Sequence, residues 1–275
     1  MTKRFTGLFF ILILSIGARA QYESYVQVGE IGVAVGGAHY FGDLNTSSAV
    51  SRPKIAIGGY FLKQFNNFVG IKLSGNFIQL GYSDVYAKNV VQRRRNLSFN
   101  TNIWEASASA YFNFFQYIPG VEGYNYTPYV SLGGGVFTFD PYAYYRGEKV
   151  MLRTLGTEGQ GSPQHPGRKV YKPYAFCFPV SVGFKYSFSN TINLYAELSY
   201  RFTNTDYLDD VSTTYTPEAF KPNSLGAAMF DRSYETGDPI GIAGRQRGNS
   251  TQKDSYAVFQ IGLSFNLSSY ACPTY

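Results

Sequence analysis

From Trp104 to Phe114 the side chains alternate: Trp104, Ala106, Ala108, Ala110, Phe112 and Phe114 fall on one side, and Glu105, Ser107, Ser109, Tyr111 and Asn113 on the other. A period of two marks a strand with one apolar and one more polar face. The same pattern predicts strands over 28–41, 53–64, 69–82, 101–115, 127–139, 173–187, 192–203 and 255–267. No segment beyond residue 28 carries the 3.6-residue stripe of an amphipathic helix. Each run reaches the roughly 9–11 residues that cross a bilayer at a barrel's tilt, and the number of runs is even, as in bacterial membrane barrels.

Alternation alone also fits a soluble sandwich, so the connections decide. Those at 65–68, 116–126 and 188–191 are short and carry turn residues such as Asn66-Asn67 and Ser189-Asn190, whereas 42–52, 83–100, 140–172 and 204–254 are long. Short periplasmic turns alternating with long external loops are the up-and-down plan of outer-membrane barrels. The expectation is an all-β, eight-stranded antiparallel transmembrane barrel with long extracellular loops, placed in the cell outer membrane. Aromatic residues at 18% and charged residues at only 15% agree with strands that carry interfacial belts. Phe176, Phe178, Phe184 and Tyr186 read as part of such belts, facing lipid.

Lys3 and Arg4 precede the apolar run Leu8–Leu14, which ends near Ala18-Arg19-Ala20. This is the plan of a secretory signal peptide, and the run falls short of the roughly 20 residues of a membrane-spanning helix. A leader over 1–20 and a barrel domain over 21–275 are expected. Losing Lys3, Arg4 and Arg19 lowers the formal net charge from +6 to +3, too little to signal a polyanionic partner. The only basic run is Arg93-Arg94-Arg95, so no nucleic acid is expected to bind. Cys177, near the outer end of the sixth run, and Cys272, past the last, lie a barrel height apart and cannot bridge within one chain.

Parity also sorts the charges. Ile192, Leu194, Ala196, Leu198, Tyr200 and Phe202 share the lipid side of their strand, leaving Asn193, Glu197, Ser199 and Arg201 inside. The same rule places Glu30, Lys72, Glu105, Lys185, Glu197 and Arg201 in the lumen, three acids with three bases. An eight-stranded lumen is just wide enough for side chains to fill, and charges buried there must pair or neutralise. A plugged lumen follows, with Arg201 and Glu105 pairing in its upper part and Lys185 grouped with Glu197 lower down.

Catalytic and metal constellations are sparse. The chain has only His39 and His165, which excludes a histidine-rich metal site. His39, at the outer end of the first strand, is placed where a membrane-barrel lipid-modifying enzyme would need a base, although an interfacial aromatic-like role is the simpler reading. Asp206, Asp209 and Asp210, with Asp43 from the first long loop, could offer oxygen ligands to calcium, but their spacing matches no EF-hand. Solvated acids, or acids paired with Arg232, Arg245 and Arg247, fit better. Gly133-Gly134-Gly135 lies within a strand and means bending or close backbone approach, since no Lys-Ser/Thr or helix follows to make a phosphate loop. No catalytic residue, cofactor or small-molecule substrate is assigned.

Several words recur together: Gly37-Ala38-His39-Tyr40-Phe41-Gly42-Asp43-Leu44, Arg95-Asn96-Leu97-Ser98-Phe99, Thr157-Glu158-Gly159-Gln160-Gly161, Arg201-Phe202-Thr203-Asn204-Thr205-Asp206-Tyr207-Leu208-Asp209-Asp210-Val211-Ser212 and Arg247-Gly248-Asn249. In these words and their order the chain resembles the Bacteroidota outer-membrane barrel family that contains PorG, a component of the type IX secretion system. The resemblance implies a non-enzymatic membrane anchor that associates with a periplasmic ring of lipoproteins, the PorK and PorN assembly. It sets outer-membrane lipid and those lipoproteins as partners. Two features depart from it or pull against it. Many such barrels end on an aromatic residue, whereas here Phe265 is followed by Asn266 through Tyr275, and the distinctive words lie on outer loops while the implied partners are periplasmic. A lipid-modifying enzyme, a surface adhesin or a small-solute pore are the alternative readings.

Overall fold

The computed structural model describes residues 29–46, 50 and 52–267. The leader over 1–20 and Cys272 fall outside them. Strands run β1 (Gly29–Phe41), β2 (Lys54–Gln64), β3 (Val69–Ser83), β4 (Ser98–Asn113), β5 (Tyr126–Thr138), β6 (Tyr142–Tyr145), β7 (Glu148–Met151), β8 (Tyr174–Ser187), β9 (Ile192–Thr203) and β10 (Ser255–Leu267). Short helices α1 (Val90–Arg95), α2 (Leu152–Leu155) and α3 (Leu225–Phe230) lie in the long loops.

Eight strands close into an antiparallel barrel in the order β3-β2-β1-β10-β9-β8-β5-β4, with β4 returning to β3. The first and last strands join from Gly29↔Leu267 to Phe41↔Ser255, so no edge is left open. All eight expected strands are present within a few residues of their expected ends. The largest shift is at β4, which starts at Ser98 because it stays paired with the far end of β3 as far as Ser83↔Ser98. The hairpin β6–β7 leaves the barrel after β5 and meets β4 at Asn100↔Tyr142. The loop over 140–172 therefore carries strands that its mixed pattern did not announce.

Parity is kept round the wall. Val33, Ile57, Leu73, Trp104, Phe176, Leu198 and Phe259 all point outward and are exposed, Trp104 by 65%. Leaving such side chains in water rather than hydrocarbon costs about 1.5–3 kcal/mol each, so this surface is built for lipid. The closed ladders satisfy the backbone polar groups that hydrocarbon cannot. Gly133 marks a close approach of strands: a Cβ there would lie 2.2 Å from the Ala108 carbonyl oxygen and 2.3 Å from Ser109 Oγ.

At the short-turn end, Asn66 Oδ1 accepts the Phe68 and Val69 amides at 2.8 Å, and Ser189 Oγ accepts those of Thr191 and Ile192 at 3.2 Å. These side chains replace missing ladder partners and allow tight reversals. The 116–125 connection tucks Tyr117 beneath the barrel, where its hydroxyl donates to Asn193 Oδ1 at 2.6 Å.

Candidate functional site

Three charge pairs stand one above another inside the barrel. Lowest, Lys185 Nζ donates to Glu30 Oε2 at 2.6 Å, with side chains 1% and 0% exposed. Above it, Lys72 Nζ meets Glu197 Oε2. Highest, Arg201 Nε and Nη2 donate to the two oxygens of Glu105 at 3.2 Å. Each carboxylate also accepts a tyrosine hydroxyl: Tyr60 on Glu30, Tyr129 on Glu197 at 2.9 Å and Tyr256 on Glu105 at 2.6 Å. A buried ion needs both a counter-charge and partners for its remaining lone pairs, and each level supplies both.

The grouping of Lys185 with Glu197 is corrected here, because Lys185 takes Glu30 and Glu197 takes Lys72. Parity fixes the face of a residue but not its height, and strand tilt with register stagger sets the height. The tyrosines were missed, although the same parity points them inward. Between the upper two pairs lies a cavity of about 20 Å³ whose lining includes Ser74, Ser107, Ser181, Ser199 and Gln260. It has room for about one water, not a column of them.

Over the outer mouth the four long connections fold into a cap held by two buried arginines. Arg95, at the end of α1, grips Asp84 through Nε and Nη2 at 2.7 and 2.8 Å. It also donates to the Arg247 carbonyl at 2.6 Å and the Asp43 carbonyl at 3.0 Å. Arg247 in turn donates to Glu158 Oε1 at 3.1 Å, the Asp210 carbonyl at 2.7 Å and the Phe230 carbonyl at 3.2 Å. Glu158 accepts the Ser212 amide at 2.9 Å and the Thr213 hydroxyl at 2.6 Å. Each guanidinium thus ties segments far apart in sequence.

The distinctive words build this cap. A Cβ on Gly42 would lie 2.0 Å from Asp254 Oδ1, and the buried Leu44 donates its amide to Asp209 Oδ2 at 3.3 Å. Gly159 and Gly161 adopt positive φ of 79° and 73°, turning the chain so that Gln160 Oε1 can accept the Glu158 amide at 2.8 Å. Thr157 Oγ1 donates to Asp210 Oδ2, and Tyr171 donates to Asp210 Oδ1 at 2.6 Å. Thr205 accepts the Asp254 amide through its carbonyl, Tyr207 stacks on Tyr171 at 4.5 Å, and Leu208 is wholly buried.

The expectation of solvated acids is corrected: Asp206, Asp209 and Asp210 are buried. Arg232 pairs with Glu235 and Arg245 donates to the Ile240 carbonyl, so of the three arginines proposed as partners only Arg247 reaches the cluster, at a carbonyl. Nor do the acids converge as calcium ligands would. Asp43 accepts the Asn249 amide and Asp206 the Ser212 hydroxyl, and among the described residues no group has metal-holding geometry. His39 is 5% exposed, hydrogen bonded to Asn45 and set edge-on against Phe41 at 5.0 Å, so it is covered and not open at the lipid interface.

The Tyr40 hydroxyl lies 2.6 Å from Asp209 Oδ2 and 2.9 Å from Asp254 Oδ1. One phenolic proton cannot serve two carboxylates, so the arrangement favours a proton on one of the acids. Burial, with Asp43 beside Asp209 and Asp209 beside Asp254, keeps both acids well above the usual carboxylate range. Burial also lifts Asp206 from 3.8 to about 7 and, against the opposing charge of Arg247, Asp210 to about 6. A raised folded pKa means that the closed cap holds its protons more tightly than the opened loops. Closure is therefore strongest below the ordinary aspartate value of 3.8 and weakens as the pH climbs to about 7. Proteolysis within 204–254, normalised to an unstructured peptide, should accelerate between about pH 4 and pH 7, and Asp206→Asn should flatten the rise. A wild-type rate independent of pH would refute this account.

Among solved structures, the chain is similar to the N-terminal β-barrel domain of OprF from Pseudomonas aeruginosa, at 14% identity over 88% of this chain and 98% of that one, with a TM-score of 0.38. Neisserial surface protein A matches at 9% identity over 87% and 97%, TM-score 0.43. OprG from Pseudomonas aeruginosa matches at 11% over 88% and 98%, TM-score 0.41. At these values they assign no function, and the barrel is read from the chain's own strand pairing. No curated protein matches the chain. A family model does, over residues 4–227, a span that takes in four of the five words that build the cap. The chain belongs to the family described as Domain of unknown function (DUF6089).

Proposed function

We propose that this chain is a sealed outer-membrane anchor of protein secretion machinery, neither a pore nor an enzyme. The observation that carries the non-conducting part is the lumen, blocked by three buried charge pairs and closed at the outer mouth by the cap. The resemblance to the family that contains PorG supports placing it in type IX secretion, with periplasmic ring lipoproteins of the PorK and PorN kind as partners. The covered setting of His39 speaks against a catalytic base at lipid depth.

Deleting the protein should impair export of many cargo proteins while solute permeability stays unchanged. The purified barrel should show negligible conductance in planar bilayers, and affinity capture from detergent-solubilised membranes should recover ring lipoproteins. A steady ion conductance would overturn the sealed lumen. Capture without ring lipoproteins, together with unimpaired export, would sink the secretion assignment and leave the barrel standing.

A further inference from the structure

The long-loop rim separates its charges by sign. Arg52, Lys54, Lys172 and Lys253 each lie within two residues of the outer end of a barrel strand, and all are exposed. The acids at the same level are turned inward or engaged: Asp84 is 0% and Asp254 2% exposed, Asp140 pairs with Arg153, and Asp43 accepts the Asn249 amide. What the rim offers to its surroundings is positive.

One part of it forms a seat. The β2–β3 ladder stops at Ala56↔Ile78, whereas β3 and β4 stay paired to Ser83↔Ser98. The wall is notched where β2 ends, and a cavity of about 460 Å³ opens there, its lining including Arg52, Lys54, Ser83, Tyr86, Ser98 and Asn100. The Arg52 guanidinium lies 3.6 Å over the Tyr86 ring, which orients it without neutralising it. The ion pairs among the described residues use neither Arg52 nor Lys54. Directly below, Phe77 and Trp104 pack 4.9 Å apart on the outer wall, Trp104 mostly exposed to lipid. From Phe77 to Gly81 in the notch is four residues along one strand, about 13 Å. The seat therefore stands one headgroup's height above an aromatic belt of the kind that marks the hydrocarbon boundary.

We propose that this notch binds the phosphorylated headgroup of an anionic lipid in the leaflet that the long loops face, with its acyl chains lying along Phe77 and Trp104. Two cations, two hydroxyls and an amide supply donors to phosphate oxygens, and the belt below supplies the apolar surface that a free anion would not use. The proposal needs the membrane barrel but not the secretion assignment, so each can fail alone.

The test uses the full chain in neutral detergent and native mass spectrometry with four probes: bisphosphorylated lipid A, its dephosphorylated form, inorganic phosphate and a sulfated polysaccharide. One bisphosphorylated lipid should be retained, and Arg52→Gln with Lys54→Gln should weaken its binding at least about tenfold. Lys221→Gln with Arg245→Gln, exposed bases away from the strand ends, should bind like wild type. Heat-modifiable migration on gels checks folding, and Lys54→Gln alone, a severalfold loss, serves if the double variant does not fold. Equal retention of the dephosphorylated lipid would overturn the proposal, as would wild-type binding by the folded double variant. Displacement by inorganic phosphate at equal concentration would mean a free-anion site, and tighter binding of the polysaccharide a surface for extracellular polyanions; either outcome overturns it.

Discussion

Lys185→Met should destabilise the barrel by about 3–5 kcal/mol, the cost of leaving a buried carboxylate without its counter-charge. The substitution keeps most of the side-chain volume, so little of the loss comes from a cavity. What is left is Glu30, 0% exposed, with the Tyr60 and Ser264 hydroxyls as its remaining donors. The ammonium that disappears also sits 5.1 Å from the Tyr111 ring centroid and 5.5 Å from that of Tyr117, rings that favour a cation. Urea unfolding in detergent, followed by heat-modifiable migration, reads the change. Adding Glu30→Gln should restore more than half of the loss, because the double variant buries no lone charge and the cycle isolates the coupling. A single variant that unfolds at the wild-type urea concentration would mean that water reaches the lowest pair.

Arg247→Met should open the cap while leaving the barrel closed. Arg247 is 3% exposed and holds Glu158, the Asp210 carbonyl and the Phe230 carbonyl, three points contributed by two long loops. Losing the counter-charge of Glu158 again costs about 3–5 kcal/mol, but here the cost falls on a part of the molecule that can unfold locally. The opening equilibrium should shift by about two to four powers of ten, read as faster proteolysis within 204–254. The cleaved barrel should still migrate as the compact form on unboiled gels. Arg245→Gln, an exposed position in the same loop, should change neither readout. Wild-type proteolysis of Arg247→Met would remove the arginine from its assigned place as the cap's fastener.

The barrel was legible in the sequence because its rules are local. Alternation from Trp104 to Phe114 or Ile192 to Phe202 depends on neighbouring residues, and one face of a strand follows from the other. The strand faces of Glu30, Lys72, Glu105, Lys185, Glu197 and Arg201 were readable for the same reason. Which acid meets which base was not, since that depends on the stagger of strands across the lumen. The cap was opaque for a different cause. Its order rests on bonds such as Asn249 to Asp43 and Arg95 to Arg247, across 206 and 152 residues, with no period to betray them. The acids of the Thr205–Asp210 word looked solvated because charge near a loop usually is, and only its folded surroundings bury it. The rim notch was invisible too, since it comes from β2 ending earlier than β3 and β4 rather than from any one residue.

Each lumen pair spans the tube and does not join neighbouring strands. Lys72 on β3 reaches Glu197 on β9, four strands away in either direction round the wall, and Glu30 on β1 reaches Lys185 on β8 past β10 and β9. None of these contacts can form within a single hairpin. A hairpin entering the bilayer by itself would carry its lysine or glutamate into hydrocarbon alone, at several kcal/mol apiece. A curled sheet that keeps its charges toward a wet interior avoids that cost, and the Glu30–Lys185 pair, whose short way round the wall runs through β10, is completed when β1 joins β10. That seam joins the two described strands most distant in sequence, a pairing with a high loop-closure cost. Insertion of this chain should behave as a single concerted event, in which intermediates are short-lived and a strand withdrawn from the wall takes the whole interior with it.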